Sequence, residues 1–137
     1  MTSGYAGGCA CGGVRYVVAG EAVFSNHCQC LDCQKESGGG HGSFMTFRTA
    51  EVSVSGETAT WDMTADSGGV KTRTFCPVCG VAVYLTFAAM PAFLAVRAGT
   101  LDEPAVFKPQ AVTYGVRGLG WDYLELGLPV FDRMPTG

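Results

Sequence analysis

Seven cysteines fall into three short clusters: Cys9-Ala10-Cys11, Cys28-Gln29-Cys30-Leu31-Asp32-Cys33 and Cys76-Pro77-Val78-Cys79. Thiolates are soft metal ligands, and a tight turn can aim two of them at one ion. Seven divides as four plus three. A structural zinc takes four protein ligands, whereas a catalytic zinc takes three and keeps a position for water or substrate. The spacing therefore predicts one closed site and one open site. Disulfides with one spare thiol would suit a secreted chain, but the short C-x-C and C-x-x-C spacings favour metal.

The closed site is expected at Cys9, Cys11, Cys76 and Cys79. Pro77 fixes φ early in the second turn, and Gly80 permits the left-handed backbone that follows such a turn. One ion would tie the start of the chain to its middle and contribute to folding. Buried reduced thiols or a redox pair are the alternatives, and a redox C-x-x-C usually sits in a βαβ context that this sequence lacks.

The open site is expected at Cys28, Cys30 and Cys33. Cys28 and Cys30 share one face of an extended segment, and Cys33 follows after a turn. Three thiolates on Zn²⁺ leave a net charge of −1, which weakens it as a generator of hydroxide. The set suits activation of a further thiol and its attack on a small electrophile. His27 as a fourth ligand would close the site, but its side chain should leave the opposite face of the strand. Asp32 is expected to cap the turn. His41, in a glycine-rich loop, is either a fourth ligand, a proton carrier or a plain surface histidine.

Several short strands must position these residues. Val14–Val18, Ala22–His27, Ser43–Arg48, Glu51–Ser55, Thr60–Thr64, Val70–Phe75, Val81–Phe87 and Phe93–Ala98 carry β-branched and aromatic residues between turn signals, with Thr113–Val116 weaker. Gln34–Ser37 could form one helical turn, stopped by Gly38-Gly39-Gly40, and residues 1–8 read as a loose lead-in. No segment keeps a helical period for three turns, so the class is all-β.

Composition agrees. The 137 residues suggest one domain, 1–137, long enough to bury a core. Hydrophobic residues make up 47 % and charged residues 15 %, which excludes a disordered segment. The net charge is −3 without a basic run, which argues against nucleic acid as a partner. No apolar run is long enough to span a membrane, and the first residues lack a signal-peptide pattern. A soluble cytoplasmic protein is the expectation.

The order Gly8-Cys9-x-Cys11-Gly12-x-Val14-Arg15-Tyr16, His27-Cys28-x-Cys30-x-x-Cys33-x-Lys35-x-Ser37-Gly38, Phe75-Cys76-Pro77-x-Cys79-Gly80 and Gly99-x-Leu101-Asp102 resembles the glutathione-dependent formaldehyde-activating enzymes, a family that includes centromere protein V. The resemblance covers nearly the whole chain. It implies a Mss4-like fold of several short antiparallel sheets around a structural zinc held by Cys9, Cys11, Cys76 and Cys79. It also implies a labile catalytic zinc on Cys28, Cys30 and Cys33. The implied reaction is that of an S-(hydroxymethyl)glutathione synthase, a carbon–sulfur lyase acting on glutathione and formaldehyde. Where many relatives carry a histidine, Lys108–Val112 has none.

Glutathione carries two carboxylates, so cations and amide donors should hold it. Lys35, Ser37 and Gly38 are the expected substrate contacts. Arg48, Lys71, Arg73 and Arg117 are further cations without a distance argument. A non-catalytic zinc-binding interaction module and a zinc store are the competing readings, and Trp121-Asp122-Tyr123 could join an oligomer interface.

Overall fold

The computed structural model describes residues 4–135. Among the described residues the fold is all-β apart from one helix and a few 3₁₀ turns. Ten strands run in order: β1 (Tyr5–Gly8), β2 (Arg15–Val18), β3 (Phe24–Cys28), then helix α1 (Leu31–Ser37) and β4 (Gly42–Arg48). β5 (Val52–Ser55), β6 (Ala59–Thr64), β7 (Val70–Phe75), β8 (Ala82–Phe87), β9 (Phe93–Arg97) and β10 (Ala111–Thr113) complete it. They form a three-stranded sheet, β1-β2-β5, and a seven-stranded sheet, β10-β3-β4-β9-β8-β7-β6.

The larger sheet is antiparallel except at one edge, where β10 pairs parallel with β3. That departs from the purely antiparallel expectation. Parallel pairing needs a long crossover, and here most of the chain lies between the two strands.

Alternation along the central strands gives the large sheet two buried faces. Met45 and Phe47 of β4, with Leu94 and Val96 of β9, pack against Tyr16 and Val18 of the small sheet and against Val14 just before it. Phe44 of β4, Leu85 of β8 and Ala95 of β9 face the other way, toward Cys28, Cys30, Cys33 and Tyr114. In β8 the alternation resets at a bulge: Phe75 pairs with Ala82 and Thr74 with Tyr84, which leaves Val83 as an extra residue. Val83 and Tyr84 therefore both pack toward the small sheet, while Leu85 takes the opposite side.

Two expectations from sequence need correction. The lead-in is largely a strand, β1, for the part that is described; residues 1–3 lie outside the described residues. Gly7 explains the misreading. A Cβ there would lie 2.4 Å from Thr100 O and from the Tyr16 hydroxyl, so the strand needs glycine for close approach rather than for a turn. The Thr113–Val116 strand shifts upstream to Ala111–Thr113, because Tyr114 adopts a left-handed backbone (φ 56°) and Gly115–Arg117 coil into a 3₁₀ turn.

The helical turn is longer than expected, starting at Leu31 and including Cys33. Its N-cap is Cys30, whose sulfur accepts the Cys33 N–H at 3.4 Å. Asp32 sits in the first turn instead of capping it. Gly38 ends the helix at φ 74°, donating its N–H to the Gln34 carbonyl at 3.0 Å.

Candidate metal centres

The first centre is built from two turns. Cys9 and Cys11 lie between β1 and β2, and Cys76 and Cys79 lie between β7 and β8. Their four sulfurs lie within 4.8 Å of one another. Cys11 Sγ is 3.6 Å from both Cys9 Sγ and Cys76 Sγ. Disulfide sulfurs would be about 2.0 Å apart. Tetrahedral zinc–sulfur bonds of about 2.3 Å place sulfurs roughly 3.8 Å apart, so the donor set fits a zinc ion. Backbone amides point at the same sulfurs: Val14 N–H donates to Cys9 Sγ at 3.2 Å, and Val78 and Cys79 N–H donate to Cys76 Sγ at 3.3 and 3.4 Å. The Val14 amide, with the neighbouring sulfurs, draws the Cys9 thiol down to about 6.

The second centre has three sulfurs. Cys28 ends β3, Cys30 caps α1 and Cys33 lies in its first turn. All three are buried, and their sulfurs also lie within 4.8 Å of one another. Hydrogen bonds from Cys30 and Cys33 draw the Cys28 thiol down to about 3, while the same crowding pushes the Cys33 thiol up. Coordination of a metal ion would require all three sulfurs to lose their protons. This donor set also fits zinc, with no fourth cysteine within reach among the described residues.

The histidines stand apart from the sulfurs. His27 leaves the opposite side of β3, as alternation requires. Its Nδ1 is 2.8 Å from Ser43 Oγ and its Nε2 is 2.9 Å from Glu125 Oε1. His41 Nδ1 bonds Asp122 at 2.9 Å, and the two imidazoles meet edge to face at 4.7 Å. Neither joins the three-cysteine group.

A cavity of about 350 Å³ opens onto the three cysteines. Lys35, Ser37 and Gly38 are exposed on α1 and its cap, and none of them lines it. The cation that does is Lys71 of β7, which is 6 % exposed. Its Nζ lies 3.9 Å from Cys30 Sγ and 3.7 Å from Asp32 Oδ2. Burial pulls the Lys71 ammonium down, but the three cysteines and Asp32 outweigh it and hold its pKa above the usual lysine value. Its pairing register, Lys71 opposite Phe87, puts it on the cavity face. Sequence reasoning had Lys71 only as one cation among four, since nothing local tells a strand lysine which cluster it will meet. Glu36 pairs with half-buried Arg97, whose guanidinium lies 5.1 Å from the centre of the Phe44 ring.

Beyond the geometry, the family model of the glutathione-dependent formaldehyde-activating enzymes matches residues 4–117. The chain belongs to that family. No curated protein matches the chain. A crystal structure of a Rhodobacter sphaeroides protein shares the fold, with a TM-score of 0.58 at 17 % identity, covering 92 % of this chain and 98 % of that one. Among the described residues, these two cysteine groups are placed so that each could hold a metal ion. No helix among the described residues is long and apolar enough to cross a membrane.

Proposed function

We propose that the protein joins a thiol to a small aldehyde, and runs the reverse cleavage, as a zinc-dependent carbon–sulfur lyase of the S-(hydroxymethyl)glutathione synthase type. The observation that carries this reading is the unequal donor count: four sulfurs at one centre, three at the other, with a cavity opening on the three. In it, Cys9, Cys11, Cys76 and Cys79 hold a structural zinc. Cys28, Cys30 and Cys33 hold a labile one. A zinc ion held there would make a substrate thiol lose its proton more easily.

The chain's own residues do the rest. Cys28, Cys30 and Cys33 fix the place where substrate sulfur arrives. Lys71, beside Cys30, offsets the excess thiolate charge and can donate to the aldehyde oxygen. The substrate sulfur forms a bond to the aldehyde carbon as the C=O π bond opens onto oxygen. The thiol's proton ends on that oxygen, giving a hemithioacetal. Apolar walls, with Phe44, Leu85 and Tyr114, exclude water from the reacting atoms. A substrate role for Lys35, Ser37 and Gly38 would need contacts outside the cavity.

Two-dimensional exchange NMR on a thiol with formaldehyde tests the reading, using glutathione and, separately, benzyl mercaptan. Wild type should exceed the buffer rate with at least one thiol, and Cys30→Ser should not. Buffer rates throughout would sink it. The interaction-module reading would then lead, supported by the exposed apolar residues Trp121, Tyr123 and Leu126 on the C-terminal segment.

A further inference from the structure

The cavity over the three cysteines is built for a neutral, apolar molecule. Its walls include Phe44, Leu85, Phe87, Phe93, Ala95 and Tyr114. Its rim is largely apolar too: Val23, Val70, Met90 and Met134 are between 41 % and 51 % exposed, with Ser67 as the exposed polar residue among them. The size suits a single small molecule, at the lower end of roughly 300–1,000 Å³ for such sites.

Charge is the deciding feature. Among the described residues, the charged ones lining the cavity are Lys71 and Asp66, and both have partners. Lys71 faces Cys30 and Asp32. Asp66 accepts two hydrogen bonds from the Arg117 guanidinium, at 2.9 and 3.0 Å, which hold its carboxyl below the usual range. Glutathione would bring two carboxylates and an ammonium to walls that offer no uncommitted cation and no uncommitted anion. A buried carboxylate without a partner is strongly disfavoured. An aryl or alkyl group gains instead from every contact with these walls.

We infer that the preferred sulfur substrate is an uncharged thiol with an aryl or alkyl body, seated with its sulfur at Cys28, Cys30 and Cys33 and its body among Phe44, Phe87 and Phe93. The inference rests on the proposed thiol chemistry and adds the substrate class. Lys71 is the cation of the lining, and among the described residues no second cation lines the cavity to pair with the glycine or glutamyl carboxylate of a tripeptide.

Calorimetric titration of the full chain, loaded with zinc, tests it with three probes: benzyl mercaptan, glutathione and ethylbenzene. Benzyl mercaptan should bind at least ten-fold more tightly than glutathione, and more tightly than ethylbenzene, which lacks the sulfur. Met90→Lys adds a cation at the exposed rim, outside the cysteine cluster, and should narrow the ratio of the two thiols several-fold. Glutathione binding as tightly as benzyl mercaptan would overturn the inference and leave the thiol chemistry standing. Equal binding of ethylbenzene and benzyl mercaptan would overturn sulfur anchoring, and with it both readings. Absence of binding by all three would also overturn both.

Discussion

The two cysteine centres use one ligand type in opposite settings. At the four-cysteine centre the sulfurs sit on turns, Cys11 is exposed, and backbone amides aim at Cys9 and Cys76. At the three-cysteine centre every sulfur is buried, the nearest cation is the Lys71 side chain, and a cavity lies in front. The first arrangement completes its coordination from the protein and can be wet. The second is short of one donor and buried. A missing ligand is useful only where the surroundings control what fills it, and the apolar cavity provides that control.

The largest effect should come from breaking the four-cysteine centre. Cys76→Ser removes the buried sulfur that receives two amides and faces Cys11 across 65 positions of sequence. Structural zinc binding of about 10–16 kcal/mol rivals a domain's net stability of about 5–15 kcal/mol. Expression should yield no cooperatively folded protein, judged by circular dichroism and thermal melting. Soluble Cys76→Ser protein that still carries two zincs would erase the distinction between the centres.

Cys30→Ser should act on metal and leave the fold. Serine is a good helix N-cap, so α1 keeps the bond that Cys30 Sγ now makes to the Cys33 N–H. Metal analysis should fall by about one equivalent while the melting transition survives. Collapse of the fold in this variant would make both centres structural.

Lys71→Met comes next. It removes the buried ammonium between Cys30 and Asp32, leaving Asp32 without its charge partner. Destabilisation of about 1–3 kcal/mol in urea is expected, smaller than for a fully buried pair because Asp32 is 27 % exposed. Zinc should also leave the three-cysteine centre at lower chelator concentration. The double variant Lys71→Met/Asp32→Asn should recover part of the stability but none of the metal retention. Unchanged chelator sensitivity would separate Lys71 from the centre.

The smallest effect tests the two faces of β3. His27, opposite Cys28, has its pKa lowered by burial, with Glu125 opposing. Below the ordinary histidine value near 6.5 the unfolded chain then binds more protons than the native one. Stability should therefore fall as pH drops from about 6.5 toward the lower native pKa of His27 and level off below it. His27→Gln should flatten that part of the profile, measured by urea midpoints across pH, while metal content stays at the wild-type level. Loss of zinc from His27→Gln would place the imidazole in the centre after all.

The cysteine spacing was readable directly, because C-x-C and C-x-x-C are local geometry: a short loop fixes where two sulfurs point whatever surrounds it. The β-branched and aromatic runs Ser43–Arg48 and Phe93–Ala98 likewise marked strands, whose side chains must take opposite sides. That reasoning also placed His27 away from Cys28. Glycines misled it at Tyr5–Gly8, where Gly7 serves a close contact with Tyr16 and Thr100 that no local pattern announces.

What the sequence by itself determined was the three short cysteine clusters, the all-β class and the family pattern, carried by local spacing and strand patterning. The tertiary structure decided the surroundings of the open centre. The register of β7 on β8 brought Lys71 to Cys30, and the exposed positions of Lys35, Ser37 and Gly38 left them outside the cavity. The parallel pairing of β10 with β3 brought Tyr114 beside the cysteines. Charge and polarity at a site are sums over segments distant in sequence, and those sums exist only once the chain has folded.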